Sequence, residues 1–405
     1  MANRKWIVAF VFVAIMLNYV DRQILALLKP TLEARFGWSD RDYANLATVF
    51  QIATAFAFLG TGWFIDRVGL RRGFGIGVAV WSLAAMAHAA AATVGAFFGA
   101  RIVLGAAESI GTPAAVKTAA TYFTGRARQV ALGIGNTAPN VGAVVAPALI
   151  PPLAVAFGWQ SAFLVAGGLG LIWVVLWFTL RAEAVAPLVA GAGPLRWREI
   201  AGRRETITIA AAKVLSDQVW FFMLSWLPDL FNRLFGLKQG QLGWPLVLVY
   251  AMAAGGALTG GWLAPALLAR GWSPDRARKG ALLLFALLVL PVASVQSLHG
   301  PWIAALVLGL GLFAHQGFST NIFGLATDIT PAASVGSTIG MAAFCGNLWS
   351  VGLIQFQAFA LAAGWGYTPA LAICAVSYLT AVGVIQLLIP RIVPVEDRGE
   401  LLGAH

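Results

Sequence analysis

Twelve long apolar runs dominate this sequence of 405 residues. A helix of about 20 residues crosses the hydrocarbon core of a bilayer, so each run predicts one membrane-spanning helix. The runs are continuous and do not alternate, which excludes a β-barrel. The composition agrees: 11% of the residues are charged, against about 25% in a soluble domain. We predict an all-α polytopic membrane protein with spans near 5–28, 42–64, 73–93, 96–122, 129–154, 160–180, 206–233, 242–269, 279–298, 302–326, 334–362 and 367–390.

The longest polar interruption divides these spans into two sets of six. It covers residues 181–205 and is rich in charged residues and proline. We therefore predict an N-terminal six-helix bundle over 1–180, a cytoplasmic linker over 181–205 and a C-terminal six-helix bundle over 206–405. The first apolar run resembles a signal peptide, but no small-residue cleavage site follows it, so it is predicted to be a retained helix.

Basic residues are distributed unevenly over the predicted loops. Eighteen lie on the side of the N-terminus, and cytoplasmic loops carry such an excess of Lys and Arg. Both termini are therefore predicted to be cytoplasmic. This distribution explains the net charge of +11, which indicates no nucleic-acid partner because no basic stripe is present. The five on the other side are Lys29, Arg35, Arg41, Arg233 and Lys238, and four lie inside spans, namely Arg22, Arg101, Lys117 and Lys213.

Charges inside the first half of the chain are the strongest functional candidates, because each costs about 3 kcal/mol at the bilayer centre. Asp21 and Arg22 are neighbours in span one and point about 100° apart. Either each pairs with another helix, or Arg22 binds an anion and Asp21 exchanges a proton. Arg101 and Glu108 are two helical turns apart in span four, so they share one face. Lys117 lies near the cytoplasmic end and is expected to extend its ammonium to the interface.

The second half carries a further polar set. Lys213 and Asp217 are spaced i,i+4 in span seven, with Trp220 on the same face. Two interpretations stay open: an internal salt bridge within the helix, or a polar patch with an aromatic platform suited to a sugar. Hydrogen-bonding side chains follow in spans ten and eleven at His315, Gln316 and Asn347.

The loop between spans two and three has the pattern G-x-x-x-D-R-x-G-x-R, formed by Gly62, Asp66, Arg67, Gly69 and Arg71. It resembles the loop signature of the major facilitator superfamily. We expect Gly62 to allow close helix packing, Gly69 to allow a tight turn and Asp66 to form a contact that gates the cytoplasmic side. A weaker copy of the pattern begins 199 residues later and lacks the aspartate, as expected for two half-bundles related along the membrane normal.

Within that superfamily, residues 18–22, 101–113 and Asn347 resemble the anion:cation symporter family. Residues 213–220, 226–228 and 313–316 are similar to bacterial hexuronate transporters. The resemblance implies that Asp21 and Glu108 are proton-coupling acids. The substrate-binding residues that we predict are Tyr19, Arg22, Arg101, Lys213, Trp220, His315, Gln316 and Asn347. The chain departs from many relatives at three places. They have Tyr at the position of Thr54 and Gln near 139–140. After span four they have a Glu-Arg pair where this chain has residues 125–128.

We therefore expect a proton-coupled importer of a carboxylated sugar, acting as a monomer in a bacterial inner membrane. The alternative within transport is an exporter or a carrier of aromatic or short-chain monocarboxylates. A membrane-embedded enzyme is disfavoured, because the sequence has no GxSxG, HExxH or CxxC motif and no Walker A sequence. A scaffold or receptor role is also disfavoured, because it does not require charged residues inside the membrane spans. No catalytic residue, cofactor or metal site is predicted; the expected partners are a small organic anion, protons and lipid.

Overall fold

The computed structural model describes residues 2–123, 125–180, 200–331 and 334–392, so residues 181–199 of the predicted linker lie outside the described part. Within these ranges the regular structure is helical. The helices are α1 (Ala2–Leu27), α2 (Lys29–Phe36), α3 (Asp40–Val68), α4 (Leu70–Ala89), α5 (Val94–Glu108), α6 (Gly111–Tyr122), α7 (Gly125–Phe157), α8 (Trp159–Thr179), α9 (Arg204–Phe235), α10 (Gly243–Ala269), α11 (Pro274–Val289), α12 (Pro301–Ile329), α13 (Val335–Ala362) and α14 (Thr368–Leu388). Short 3₁₀ segments cover Gln239–Gln241 and Leu290–Ser297.

The predicted all-α polytopic fold is confirmed. Eleven helical segments among the described residues are long and apolar enough to cross a membrane. The remaining predicted span, the third, is α4, a helix of 20 residues. Its ends carry Arg71, Arg72 and His88, which lower its hydropathy. Span four combines α5 and α6, and span nine combines α11 with the 3₁₀ segment after it.

The chain packs into two compact units. The first contains α1–α8 together with residues Leu224–Leu248, which include the end of α9 and the start of α10. The second contains α9 up to Met223 and the chain from Val249 through α14. The predicted domain boundaries at 180 and 206 stay a prediction.

Close backbone packing at glycines holds the first unit together. A Cβ on Gly142 of α7 would collide with the carbonyl oxygen of Met16 in α1, and one on Gly105 of α5 would lie 2.6 Å from the carbonyl oxygen of Phe50 in α3. Helices that associate in lipid rely on such small residues, because no hydrophobic effect drives them together. These contacts hold α7 close to α1 and α5 close to α3.

The second unit is built in the same way. A Cβ on Gly260 of α10 would lie 2.6 Å from the backbone of Gly317 in α12, and one on Gly317 would collide with the ring of Phe285 in α11. Three helices therefore meet near the middle of α12. His315, two residues before this contact, is held on a rigid element.

Candidate functional site

The fourth span is broken where its acidic residue lies. α5 ends at Glu108 and α6 begins at Gly111. Pro113 in the first turn of α6 has no N–H to continue the hydrogen-bond ladder of α5, and its ring clashes with a preceding carbonyl in a regular helix. A discontinuous helix is typical of membrane binding sites, because its unpaired backbone groups face a partner and not lipid.

Arg22 and Glu108 form an ion pair across this break. Nε of Arg22 donates to Oε2 of Glu108 over 2.9 Å, and the side chains are 11% and 0% exposed. Nδ2 of Asn18 donates to the backbone oxygen of Glu108 over 3.2 Å. The pairing answers a question that the sequence left open: Arg22 reaches another helix, α5, and does not neutralise its neighbour Asp21.

The second arginine, Arg101, is 3% exposed and lies beside the same phenylalanine ring as Arg22. Its guanidinium carbon is 4.6 Å from the centre of the Phe50 ring, and that of Arg22 is 5.3 Å from the same centre. The guanidinium of Arg22 also lies 5.1 Å from the Tyr19 ring. The sequence pattern contained no signal for Phe50, because a phenylalanine in an apolar helix is ordinary.

Several buried polar atoms of this cluster have no hydrogen-bond partner among the described residues. They are Oδ1 of Asp21, Oε1 of Glu108, and Nε and Nη1 of Arg101. A buried donor or acceptor left unsatisfied costs about 1–3 kcal/mol. Positively charged donors beside acidic oxygens can bind a carboxylate and can exchange protons. We call Asp21, Arg22, Arg101 and Glu108 the arginine cluster.

The second unit holds the pair predicted at i,i+4. Nζ of Lys213 lies 2.7 Å from Oδ1 of Asp217, and each side chain is 9% exposed. Nζ of Lys213 also lies 4.9 Å from the centre of the Phe323 ring. A Cβ on Gly346 of α13 would lie 2.6 Å from Oδ2 of Asp217, so a larger residue there would displace the carboxylate.

Trp220 and His315 stack in the same unit. Their ring centres are 5.2 Å apart with an interplanar angle of 10°. Nδ1 of His315 lies 2.7 Å from the hydroxyl of Tyr378, and that hydroxyl donates over 3.4 Å to the backbone oxygen of Ser216. The aromatic platform expected at Trp220 is therefore an indole–imidazole pair, and Tyr378 is a residue that the sequence analysis missed.

The two remaining predicted residues of the second unit are partly buried. Gln316 follows His315 on α12. Nδ2 of Asn347 donates over 2.8 Å to the backbone oxygen of Ala343, one turn earlier in α13. The amide oxygen of Asn347 remains as the acceptor that this side chain can offer to a ligand.

The loop signature between α3 and α4 has a specific partner. Asp66 forms an ion pair with Lys117 of α6, so the ammonium that was expected to reach the interface ends on this carboxylate. Gly69 has φ of +89° at the turn between the helices, a conformation that glycine adopts without strain. The expectation for Gly62 is wrong: nothing lies within 4 Å of a Cβ built there.

The two arginines of the signature differ in their contacts. The guanidinium of Arg67 lies 5.7 Å from the centre of the Trp63 ring. Nη2 of Arg71 donates over 2.6 Å to the backbone oxygen of Phe178, at the end of α8. Arg71 therefore links α4 to the end of α8. Arg67 contacts a residue of its own helix, α3.

A third cluster surrounds Lys29, which the sequence placed only among the basic residues of the predicted external side. Nζ of Lys29 lies 2.6 Å from Oε1 of Glu33, 2.8 Å from Oδ1 of Asp40 and 2.8 Å from Oδ1 of Asp229. The side chain of Lys29 is 0% exposed. Arg233 adds contacts of 2.6 Å to Asp40 and 2.8 Å to Asp229. These five residues, the Lys29 cluster, tie α2, the start of α3 and the end of α9 together within the first unit.

Charge explains why this lysine is tolerated in a buried place. Burial alone lowers the pKa of Lys29, but the carboxylates of Asp229 and Glu33 outweigh that effect, and the pKa is raised above its ordinary value. The pKa of Glu33 is also raised, because burial penalises its carboxylate more than Lys29 favours it. Glu33, Asp40 and Asp229 have the spacing of a cation site, and the ammonium of Lys29 occupies its centre.

The raised pKa of Glu33 predicts a pH-dependent stability. A group whose pKa is raised on folding stabilises the fold fully below its unfolded value and loses this contribution as pH rises through the folded value. Glu33→Gln mimics the protonated form. We therefore expect the variant to match the unchanged protein near pH 4.5 and to unfold at a higher temperature near pH 7.5. Thermal unfolding of the purified proteins at both pH values measures this, and an equal difference at the two values would contradict it.

Comparison with known proteins agrees with the fold. Residues 11–354 match the model of the Major Facilitator Superfamily. The hexuronate transporter of Escherichia coli strain K12 is 25% identical over 394 residues, which cover 92% of this chain and 91% of that protein. The D-galactonate transporter of Escherichia coli O6:H1 is 24% identical over 413 residues, covering 95% and 94%. The solved xylose transporter XylE from E. coli has a TM-score of 0.76 at 12% identity, with 96% of each chain covered. The resemblance to sugar-acid carriers of this superfamily is confirmed.

Proposed function

The chain belongs to the Major Facilitator Superfamily, and on that premise we propose that it is a proton-coupled symporter that imports a carboxylated sugar, such as a hexuronate or an aldonate, by alternating access. The observation that carries this proposal is the arginine cluster. It places the ion pair of Arg22 with Glu108 beside the unpartnered donors of Arg101 in a buried position. Relatives that share most of the chain length are named as hexuronate and galactonate transporters.

Arginine suits the carboxylate of such a substrate. Its planar fork of N–H donors matches the two oxygens, and it stays charged when buried. Nε and Nη1 of Arg101 are available donors, and Arg22 is held by one hydrogen bond to Glu108. We assign both arginines to the substrate carboxylate, with Tyr19 beside Arg22.

The same ion pair supplies a coupling mechanism. While Glu108 is ionised, it competes with the substrate for Arg22. A proton on Glu108 removes that competition and frees Nε of Arg22 for the substrate carboxylate. Proton and anion therefore favour each other's binding, which is a reciprocal coupling of two ligands. Asp21, 2% exposed with an unpartnered oxygen, is the second acid to which we assign proton exchange.

In the second unit we assign recognition of the sugar's hydroxyl groups and C–H faces to five residues. The stacked Trp220 and His315 supply apolar surface and a ring nitrogen, and Asn347 supplies an amide oxygen. The ion pair of Lys213 with Asp217 supplies a charged donor and acceptor. The full set is Lys213, Trp220, His315, Gln316 and Asn347.

The described helices make this a multi-pass membrane protein. We propose that it resides in the inner membrane of a bacterium, because the sugar-acid transporters that it resembles over most of its length are bacterial. Both termini are proposed to be cytoplasmic and the protein to act as a monomer. Cysteine accessibility at residue 2 and residue 300 in right-side-out vesicles tests the orientation: label at residue 300 alone supports it.

Transport by purified protein in liposomes tests the function directly. We expect D-glucuronate or D-galactonate to accumulate when the outside is more acidic, and accumulation to stop when a protonophore removes the gradient. Counterflow with benzoate and lactate tests the alternative carrier. Transport of these acids without transport of either sugar acid would contradict the proposal, and so would accumulation that ignores the gradient.

Neutral replacements of the two acids should separate exchange from accumulation. We expect Glu108→Gln and Asp21→Asn each to retain counterflow of D-glucuronate within about 10-fold, while gradient-driven accumulation falls to the level of empty liposomes. The reason is that a neutral side chain no longer carries the proton whose movement drives uptake. Asp328→Asn, which removes an acid paired with Arg278 near the end of α12 and outside both proposed sites, is the control and should still accumulate. Accumulation that persists in both Glu108→Gln and Asp21→Asn would remove them as coupling acids.

A further inference from the structure

The Phe50 ring lies beside both arginines of the cluster. Its centre is 5.3 Å from the guanidinium carbon of Arg22 and 4.6 Å from that of Arg101. The ring is 4% exposed. A cation within about 6 Å of a ring centre is attracted by the negative face of the ring, and the attraction grows when water is excluded.

Arg101 depends on this contact more than Arg22 does. Arg22 has the carboxylate of Glu108 at 2.9 Å, whereas Nε and Nη1 of Arg101 have no hydrogen-bond partner among the described residues. A buried guanidinium that lacks hydrogen bonds on two nitrogens requires another source of stabilisation. The face of Phe50 provides one that does not occupy those N–H groups.

Contacts around the main chain of Phe50 hold this part of α3 against α5. Oγ1 of Thr54 donates over 2.8 Å to the backbone oxygen of Phe50 and lies 3.1 Å from that of Gly105. A Cβ on Gly105 would lie 2.6 Å from the same Phe50 oxygen. α3 is thereby held against α5, the helix that carries Arg101. The residue that carries the ring therefore has a set position relative to the helix of Arg101.

We propose that Phe50 is a positioning residue, which holds the two like charges of Arg22 and Arg101 by their attraction to one ring and so leaves their N–H groups directed at a carboxylate. This role rests on the proposed function for its ligand. It makes an aromatic ring at this position a determinant of anion affinity without any contact to the anion itself.

A fluorination series tests the attraction without changing the shape of the side chain. Phe50 is replaced by 4-fluoro-, 3,5-difluoro- and 3,4,5-trifluorophenylalanine, since each fluorine weakens the negative face of the ring. We expect the dissociation constant for D-glucuronate to rise with every fluorine, reaching about 3- to 30-fold in the trifluoro protein. The same series at Phe157, 76% exposed, is the control and should be flat. Phe50→Tyr should retain affinity and Phe50→Leu should lose it.

A readout that needs no substrate separates this proposal from the assigned function. In protein with ¹⁵N-labelled arginine, the Nε–H signal of Arg101, assigned with Arg101→Lys, should move when Phe50 is replaced by Leu, because the ring current is lost. If the signal moves but the protein binds no sugar acid, the contact of Phe50 with Arg101 is supported and the proposed substrate is wrong. An unmoved signal, or an affinity series as flat as that of Phe157, would overturn the role of Phe50.

Discussion

Arg22→Ala should weaken D-glucuronate binding by about 10- to 150-fold, the equivalent of about 1.5–3 kcal/mol for a hydrogen bond to a charged group. The substitution removes one of the two guanidinium groups that we assign to the substrate carboxylate, and Arg101 remains. It also leaves the fully buried carboxylate of Glu108 without its ion-pair partner. Because the proposed coupling acts through competition of Glu108 and substrate for Arg22, gradient-driven uptake should be lost together with affinity. Binding is measured by titration calorimetry and uptake in liposomes.

Two further variants show whether the loss of D-glucuronate binding is specific to the side chain of Arg22. Arg22→Lys keeps the charge but lacks the planar fork, and we expect it to recover part of the affinity. Arg41→Ala removes one positive charge from an exposed position in α3 and should bind as the unchanged protein does. Equal binding by Arg22→Ala and Arg41→Ala would show that Arg22 does not contact the substrate.

The apolar runs predicted the helices well for a physical reason. A bilayer satisfies no backbone hydrogen bonds, so each crossing segment must be helical and about as long as the membrane is thick. The same reasoning selected Arg22, Arg101 and Glu108, because intramembrane charge is costly. It did not predict which of them pair. Arg22 and Glu108 are 86 residues apart, and their contact depends on how α1 packs against the broken fourth span.

Other residues were missed because their sequence signal is ordinary. Phe50 lies in an apolar helix like any lipid-facing phenylalanine, and Tyr378 lies in the equally apolar α14. Gly62 shows the opposite error: the motif indicated close packing, whereas the space around it is open. Lys29 was counted with loop residues because a tally of basic residues carries no information on burial. Its three carboxylate partners come from positions 33, 40 and 229, and only the fold brings the last of them near.

Lys29→Met should be the most destabilising single substitution among these clusters, by about 3–5 kcal/mol, as expected when one partner of a buried ionic group is removed. The lysine side chain is 0% exposed. Its loss leaves three carboxylates with ligand oxygens within 4.8 Å of one another and only Arg233 to offset them. The rings of Tyr43 and Trp226, each 5.2 Å from Nζ, can pack against a methionine, so lost volume contributes little. Thermal unfolding of the purified protein in detergent measures the effect.

The cause of that loss can be isolated with one further change. In Lys29→Met/Asp229→Asn one of the three negative charges is absent, so the double variant should be more stable than Lys29→Met alone, a non-additivity expected of residues in direct contact. Lys238→Met removes a basic residue that is exposed and lies on the same predicted external side, and we expect it to leave stability unchanged. If Lys29→Met unfolded at the temperature of Lys238→Met, the ammonium would not be what holds α2, α3 and the end of α9 together. If the double variant were the less stable one, packing and not charge repulsion would account for the loss.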